Sequence, residues 1–210
     1  MARRRRRQDS YGHRARKEGF PARSVYKLEE IHRRIRLFEQ GQRVLDLGAS
    51  PGSWTLFAAQ KVGKHGLVRS LDLKPATSVL PANVDYRVLD AFAADGDAIC
   101  EGGRFDIVLS DMAPSTTGHR DLDQYRSYEL FLRALTLAAG ALRPGGTFVG
   151  KIFQGAEFEQ ARDAMRPLFE KIRIIRPKAT RDESYELFLI GLVRRDDTEP
   201  GTHGSENVLA

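Results

Sequence analysis

The chain has one cysteine, Cys100, in 210 residues. A single thiol cannot close an internal disulfide, and no metal cluster is available around it. No metal is therefore expected, and a reducing cytosol is the simplest compartment. Long apolar runs are missing too. None approaches the ~20 residues of a membrane span, so no membrane association is expected. The arginine run Arg3 to Arg7 has no apolar segment behind it and does not read as a secretory signal. Hydrophobic residues make up 41% of the chain, an ordinary share for a folded protein. The length suits one domain with a full core and terminal extensions.

What is present is unevenly distributed. Residues 1–40 hold 13 Lys+Arg against 5 Asp+Glu, and the remainder holds 21 against 23. The net charge of +6 therefore belongs to the N-terminal segment. Such a segment reads as a polyanion contact, most simply nucleic acid. The competing reading is a solubilising tail that binds nothing specific. Residues 1–22 are expected to be disordered until they meet RNA or DNA. From Arg23 to Phe38, Val25, Leu28, Ile31, Ile35 and Phe38 recur at helical spacing, which predicts an amphipathic helix docked on the domain.

The stretch Arg43-Val-Leu-Asp-Leu-Gly-Ala-Ser-Pro-Gly-Ser-Trp54 organises the rest. Val44, Leu45 and Leu47 read as a strand buried on both faces, interrupted by Asp46. Gly48 allows a tight turn, and Gly52 lets backbone approach a ligand. A helix follows from Trp54 to Val62. Strand, glycine turn and helix place free N–H groups beside a cleft. The spacing G-x-x-x-G is neither the dinucleotide fingerprint nor a phosphate loop, and no lysine follows Gly52. The site suits a nucleoside without a phosphate chain, set against the alternative of a structural turn.

Further strands are predicted at Leu67–Leu71, Asp85–Leu89, Phe105–Leu109, Thr147–Phe153, Ile172–Ile175 and Tyr185–Val193. Long helical stretches run over Leu122–Leu142 and Glu157–Phe169, and Arg143-Pro-Gly-Gly146 reads as a turn. Asp72 closes the second strand, 24 positions beyond Gly48, where an acidic residue can accept from ribose hydroxyls. Asp90 follows the third strand and could accept from an exocyclic amine. Asp111 follows the fourth, ahead of the stiff Ala113-Pro114. Alternating strands and helices predict an α/β fold. The expected architecture is a Rossmann-like seven-stranded, mostly parallel sheet with helices on both faces. The last two strands lack a helix between them and should form an antiparallel hairpin at one edge. Residues 195–210 are polar and read as a disordered end.

Lys27, Asp111, Lys151 and Glu186 stand out together. Lys151 lies within an apolar strand, where a charge is costly unless paired. By spacing alone, a plain ion-pair network is the favoured reading of the four. The chain, however, resembles the FtsJ/RrmJ family of S-adenosylmethionine-dependent RNA ribose 2′-O-methyltransferases. The matching stretches are Arg23–Leu28, Asp46–Trp54, Asp111–Pro114, Gly145–Gly155 and Ser184–Phe188. They occur in the family's order and span about Arg23 to Val193.

The resemblance implies a catalytic K-D-K-E set at Lys27, Asp111, Lys151 and Glu186, with Lys151 as the base. It implies S-adenosylmethionine contacts at Gly52, Trp54, Asp72, Asp90 and Asp111. It further implies a methyltransferase domain over residues 23–194 and a cytoplasmic monomer without an appended RNA-binding domain. The implied substrate is a uridine of large-subunit (23S) ribosomal RNA, free or in the 50S particle. Two alternatives stand beside it: methylation of transfer or capped messenger RNA, and a non-catalytic ribosome-assembly factor. The chain departs from the family pattern at Ser50 and Ser53, usually Ala or Gly, and at Phe188, usually Tyr. Asp182 and Glu183 make the loop before Glu186 more acidic than is common.

Overall fold

The computed structural model describes residues 2–94, 96–180 and 185–196. A seven-stranded sheet carries the chain. The strands are β1 (Arg43–Leu47), β2 (Leu67–Asp72), β3 (Val84–Val88), β4 (Phe105–Ser110), β5 (Leu142–Phe153), β6 (Phe169–Ile175) and β7 (Glu186–Arg194). Their order is β3-β2-β1-β4-β5-β7-β6. The pairs from β3 through to β5 are parallel, whereas β7 is antiparallel to both β5 and β6. The expected α/β architecture and edge hairpin are therefore present. The reversed strand, β7, is the inner member of that hairpin, and β6 forms the edge.

The helices are α1 (Ala2–Lys17), α2 (Val25–Ile35), α3 (Ser53–Val62), α4 (Gly96–Ile99), α5 (Arg120–Ala141) and α6 (Phe158–Met165). Alternation along each strand divides the core in two. Val44, Val68, Ile107, Leu109, Val149, Phe188 and Ile190 face α2 and α3. Leu45, Leu47, Val108, Phe148 and Leu189 face α5 and α6. In α2, Val25, Leu28 and Ile31 are almost fully buried, as a 3.6-residue repeat requires. The helix stops at Arg36, which is left-handed (φ 52°) and donates its backbone N–H to the carbonyl of His32.

Two expectations need correction. Residues 2–17 form a helix where the composition predicts a disordered tail. The reason is visible at its C-terminal half. Ala15 is buried against the domain, and Tyr11 packs on Tyr26 with ring centroids 5.4 Å apart. Arg14 covers the Tyr26 ring at 4.7 Å and pairs with Glu18, which accepts from the Tyr26 hydroxyl. Tertiary contact supplies what a polar helix lacks by itself. Second, the Arg143–Gly146 turn lies inside β5. Leu142 pairs with Phe105 and Thr147 with Ile107, so residues 143–146 bulge out opposite Asp106, which accepts from Arg143. Of the expected disordered end at 195–210, residues 197–210 lie outside the described residues, as do Asp182 and Glu183.

Candidate active site

Strand parity brings the chemistry to one face. Asp46, Ser70, Asp72 and Lys151 lie at the same alternation as Val44, Val68 and Val149, and therefore point to the α2/α3 side. Asp111 continues the alternation of Ile107 and Leu109. Lys151 lies opposite Phe188, and Phe153 opposite Glu186. Lys151 and Glu186 thus share that face, one diagonal step apart across the β5/β7 pair.

The four singled-out residues resolve into two ion pairs. Lys151 Nζ lies 2.9 Å from Asp111 Oδ1 and also donates to the backbone carbonyl of Asp111. Lys27 Nζ lies 2.6 Å from Glu186 Oε1. Lys151 is only 5% exposed, and its pairing answers the cost of an ammonium within an apolar strand. Glu186 also accepts from the Thr180 hydroxyl at 3.3 Å. The loop carrying Thr180 is tied to α2 by Glu30, which is buried, pairs with Arg34 and accepts from the Lys178 N–H at 2.7 Å. The ion-pair network favoured by spacing and the catalytic set implied by the resemblance are the same four residues.

The strand ends open into two cavities. One, of about 530 Å³, is lined by Gly48, Ser50, Asp72, Asp90, Asp111 and Met112, with Leu73, Leu89 and Phe92 as apolar walls. The other, of about 550 Å³, is lined by Arg23, Lys27, Arg120, Phe153, Tyr185 and Glu186. Ala113 borders both, so the Asp111–Ala113 segment is the wall between them. The Gly48 turn sets that wall. At φ 74° a side chain is strained there, and a Cβ would lie 2.6 Å from Met112 Cγ. Beyond the wall, Asp123 holds residues 117–118 by accepting from the Thr117 N–H and hydroxyl and the Gly118 N–H. Those bonds hold its carboxyl below the usual range.

The expected donor contacts are distributed less simply than the resemblance implies. Asp72 reaches the first cavity. Its two oxygens accept from the Ser50 and Lys74 N–H groups at 2.9 and 2.8 Å, which fixes the carboxylate at the rim. Asp90 reaches it as well, with Oδ1 accepting from the Phe92 N–H. Gly52 and Trp54 line neither cavity. Gly52 is the left-handed cap of α3. The Trp54 indole is buried, stacks near Phe188 at 5.6 Å and donates to the Ser24 carbonyl at 2.9 Å. A contact from Trp54 is left to its backbone N–H in the first turn of α3, where such groups have no intrahelical partner. The side chain instead positions the segment that leads to Lys27. Ser53 does the same, accepting from the Ala22 N–H at 2.7 Å and donating to its carbonyl at 3.1 Å. That gives one departure from the family pattern a structural role. Phe188 is fully buried against Trp54.

Asp46 reads in the sequence only as an interruption of β1. It is fully buried beneath α3 and accepts from the Thr55 hydroxyl at 2.7 Å, and its second oxygen has no hydrogen-bond partner among the described residues. Burial pushes its carboxyl up to about 7. The Thr55 bond opposes this, and the charges of Asp111 and Asp72 add to it. The available signal was an aspartate in a strand apolar on both faces.

Comparison with known proteins identifies the family. The FtsJ-like methyltransferase family matches residues 20–194. A protein of Sorangium cellulosum named ribosomal RNA large subunit methyltransferase E is 50% identical over 189 residues, covering 90% of this chain and 89% of its own. A protein of the same name from Oleidesulfovibrio alaskensis is 48% identical over 187 residues, covering 88% of this chain and 90% of its own. A crystal structure from Plasmodium falciparum, described as a ribosomal RNA methyltransferase, superimposes with a TM-score of 0.71 at 22% identity. It covers 83% of this chain and 98% of that one, a likeness of fold. The family match spans the whole sheet and all four paired charges, and by it this chain belongs to the FtsJ-like methyltransferases.

Proposed function

We propose that the protein transfers a methyl group from S-adenosylmethionine to a ribose 2′-hydroxyl of RNA, in a uridine of 23S ribosomal RNA within the large subunit. The observation that carries this reading is the two ion pairs, each with one buried and one half-buried member, set where two cavities share one wall. The names of the relatives support the choice of RNA. The cytoplasm, where ribosomes are assembled, is the corresponding compartment.

The first cavity fits the donor. Asp72 can accept from a ribose diol and Asp90 from an adenine amine, while Leu73, Leu89 and Phe92 offer apolar walls to a purine. Asp111 adds negative charge toward a cationic group. When bound, the donor supplies an activated methyl carbon. The second cavity takes the acceptor ribose. Lys27 and Glu186 can hold its hydroxyls, since the pair presents both a donor and an acceptor. Lys151 takes the 2′-hydroxyl proton. Asp111 fixes the direction of Lys151 through the two contacts it already makes. Most of the acceleration comes from holding both reactants against one wall.

Incubating the protein and labelled donor with large subunits from cells lacking the gene should place label on one ribose of 23S RNA. Label on transfer RNA only, or none, would overturn the assignment. Asp72→Ala should weaken donor binding by about 1.5–3 kcal/mol, the worth of a set of charge-assisted bonds. Calorimetric titration reads this directly, and unchanged affinity would take Asp72 out of the donor site.

The arginine run supplies non-specific phosphate contacts in this reading. Deleting residues 1–22 would also pull Tyr11, Ala15 and Phe20 from the core, so charge is better removed by substitution. Replacing Arg3 to Arg7 with glutamine should weaken RNA binding and flatten its salt dependence. The log–log slope should fall by roughly 0.7–0.9 for every phosphate no longer neutralised. An unchanged slope would return the segment to a solubilising role.

A further inference from the structure

The mouth of the acceptor cavity holds an aromatic side chain that neither the fold nor the ion pairs employ. Tyr185 lines the cavity beside Glu186, and the residue keeps 40% exposure. The Arg120 guanidinium, from the first turn of α5, lies over its ring at 4.4 Å. The two residues come from different segments, and each segment is anchored. Asp123 ties the residues before Arg120 to α5. The Gln154 N–H donates to the Tyr185 carbonyl at 2.8 Å.

Resting on the reading of this cavity as the ribose site, we propose that Tyr185 is the stacking platform for the base of the acceptor nucleotide, with Arg120 backing the ring. The reasons are connectivity and surface chemistry. The base is attached to the ribose carbon next to the one bearing the 2′-hydroxyl. A ribose held by Lys27 and Glu186 therefore brings its base to a neighbouring wall, and Tyr185 is the residue adjacent to Glu186. Unpaired RNA bases are bound by stacking on aromatic rings and guanidinium planes. The ring and guanidinium here are already partners in one cation–π contact, so the platform is ordered before RNA arrives. A guanidinium behind the ring also places positive charge where the RNA backbone passes.

The test compares unaltered protein with Tyr185→Phe, Tyr185→Leu and Tyr185→Ala. It reads kcat/KM for labelled methyl transfer to unmethylated large subunits, and donor affinity on the same preparations. Stacking predicts that Phe stays within about twofold, while Leu and Ala each fall roughly tenfold with donor affinity unchanged. Leucine keeps bulk without a π face, so activity of Tyr185→Leu equal to that of Tyr185→Phe would assign the residue to packing and overturn the platform. Full activity of Tyr185→Ala would do the same. So would a parallel loss of donor affinity, or a loss in Tyr185→Phe as large as that in Tyr185→Ala, which would point to the hydroxyl. Absence of transfer by the unaltered protein would instead overturn the proposed function, and this inference with it.

Discussion

Lys151→Met should lose about 10²-fold or more in methyl transfer at saturating RNA while binding the donor nearly as well as the unaltered protein. The expectation follows from where the amine sits. Lys151 is buried on β5, on the face shared with Glu186, and held by both the carboxylate and the carbonyl of Asp111. Methionine has similar bulk and no unmet charge, so the strand can keep its packing. It cannot accept a proton. Asp111 retains its place at the end of β4, because its backbone N–H donates to the Leu47 carbonyl at 3.2 Å. The measurement is single-turnover transfer of labelled methyl to large subunits, paired with donor binding on the same protein. Near-normal transfer by Lys151→Met would reduce Lys151 to an ion-pair residue. Lys151→Arg makes a useful companion, since it restores the charge but not a group that readily gives up its proton.

Asp46→Asn should stabilise the protein, and by more as pH rises. In the folded protein the carboxyl titrates at about 7, against 3.8 in its ordinary setting. Between those values the folded state keeps a proton that the unfolded chain has released. Stability therefore falls as pH rises from about 4 to about 7, by an amount on the order of 4 kcal/mol, and then levels off. Asparagine is close in shape, can still accept from Thr55 and has no charge to bury. The variant should match the unaltered protein near pH 4, gain on it through neutrality and hold a constant lead above. Denaturant unfolding across that range measures the difference, and parallel stability curves would remove Asp46 as its source. The substitution also reports on the site, because Asp111 and Asp72 contribute to holding the proton on Asp46.

Much of this molecule is legible in its sequence. The β1–turn–α3 unit follows from an apolar run, Gly48 at positive φ and a helical repeat. The strand positions agree within a few residues, because period-2 burial and turn residues are local signals. The edge hairpin followed from a β6–β7 connection too short and polar for a helix. Less legible were features whose meaning depends on a distant partner. The helix over residues 2–17 needs Tyr26 on α2 and burial of Ala15. The roles of Ser53 and Trp54 depend on Ala22 and Ser24, about 30 positions away in the chain. Spacing offered only an ion-pair network for the four charged residues, and the family resemblance supplied their chemical reading.

By itself the sequence determined the α/β class, the glycine turn and the basic N-terminal segment, and through the family resemblance it set Lys27, Asp111, Lys151 and Glu186 apart from the rest. These rest on composition, periodicity and short motifs, which act within a few residues of chain. Tertiary structure decided the pairing of Lys151 with Asp111 and of Lys27 with Glu186, the wall between the two cavities and the burial of Asp46. It also decided that Trp54 turns its indole to the core while Tyr185 stands at the cavity mouth. The physical reason is that charge, burial and stacking depend on distances in space. Those distances were set only when the β5/β7 register placed Phe153 opposite Glu186 and α2 packed over that face.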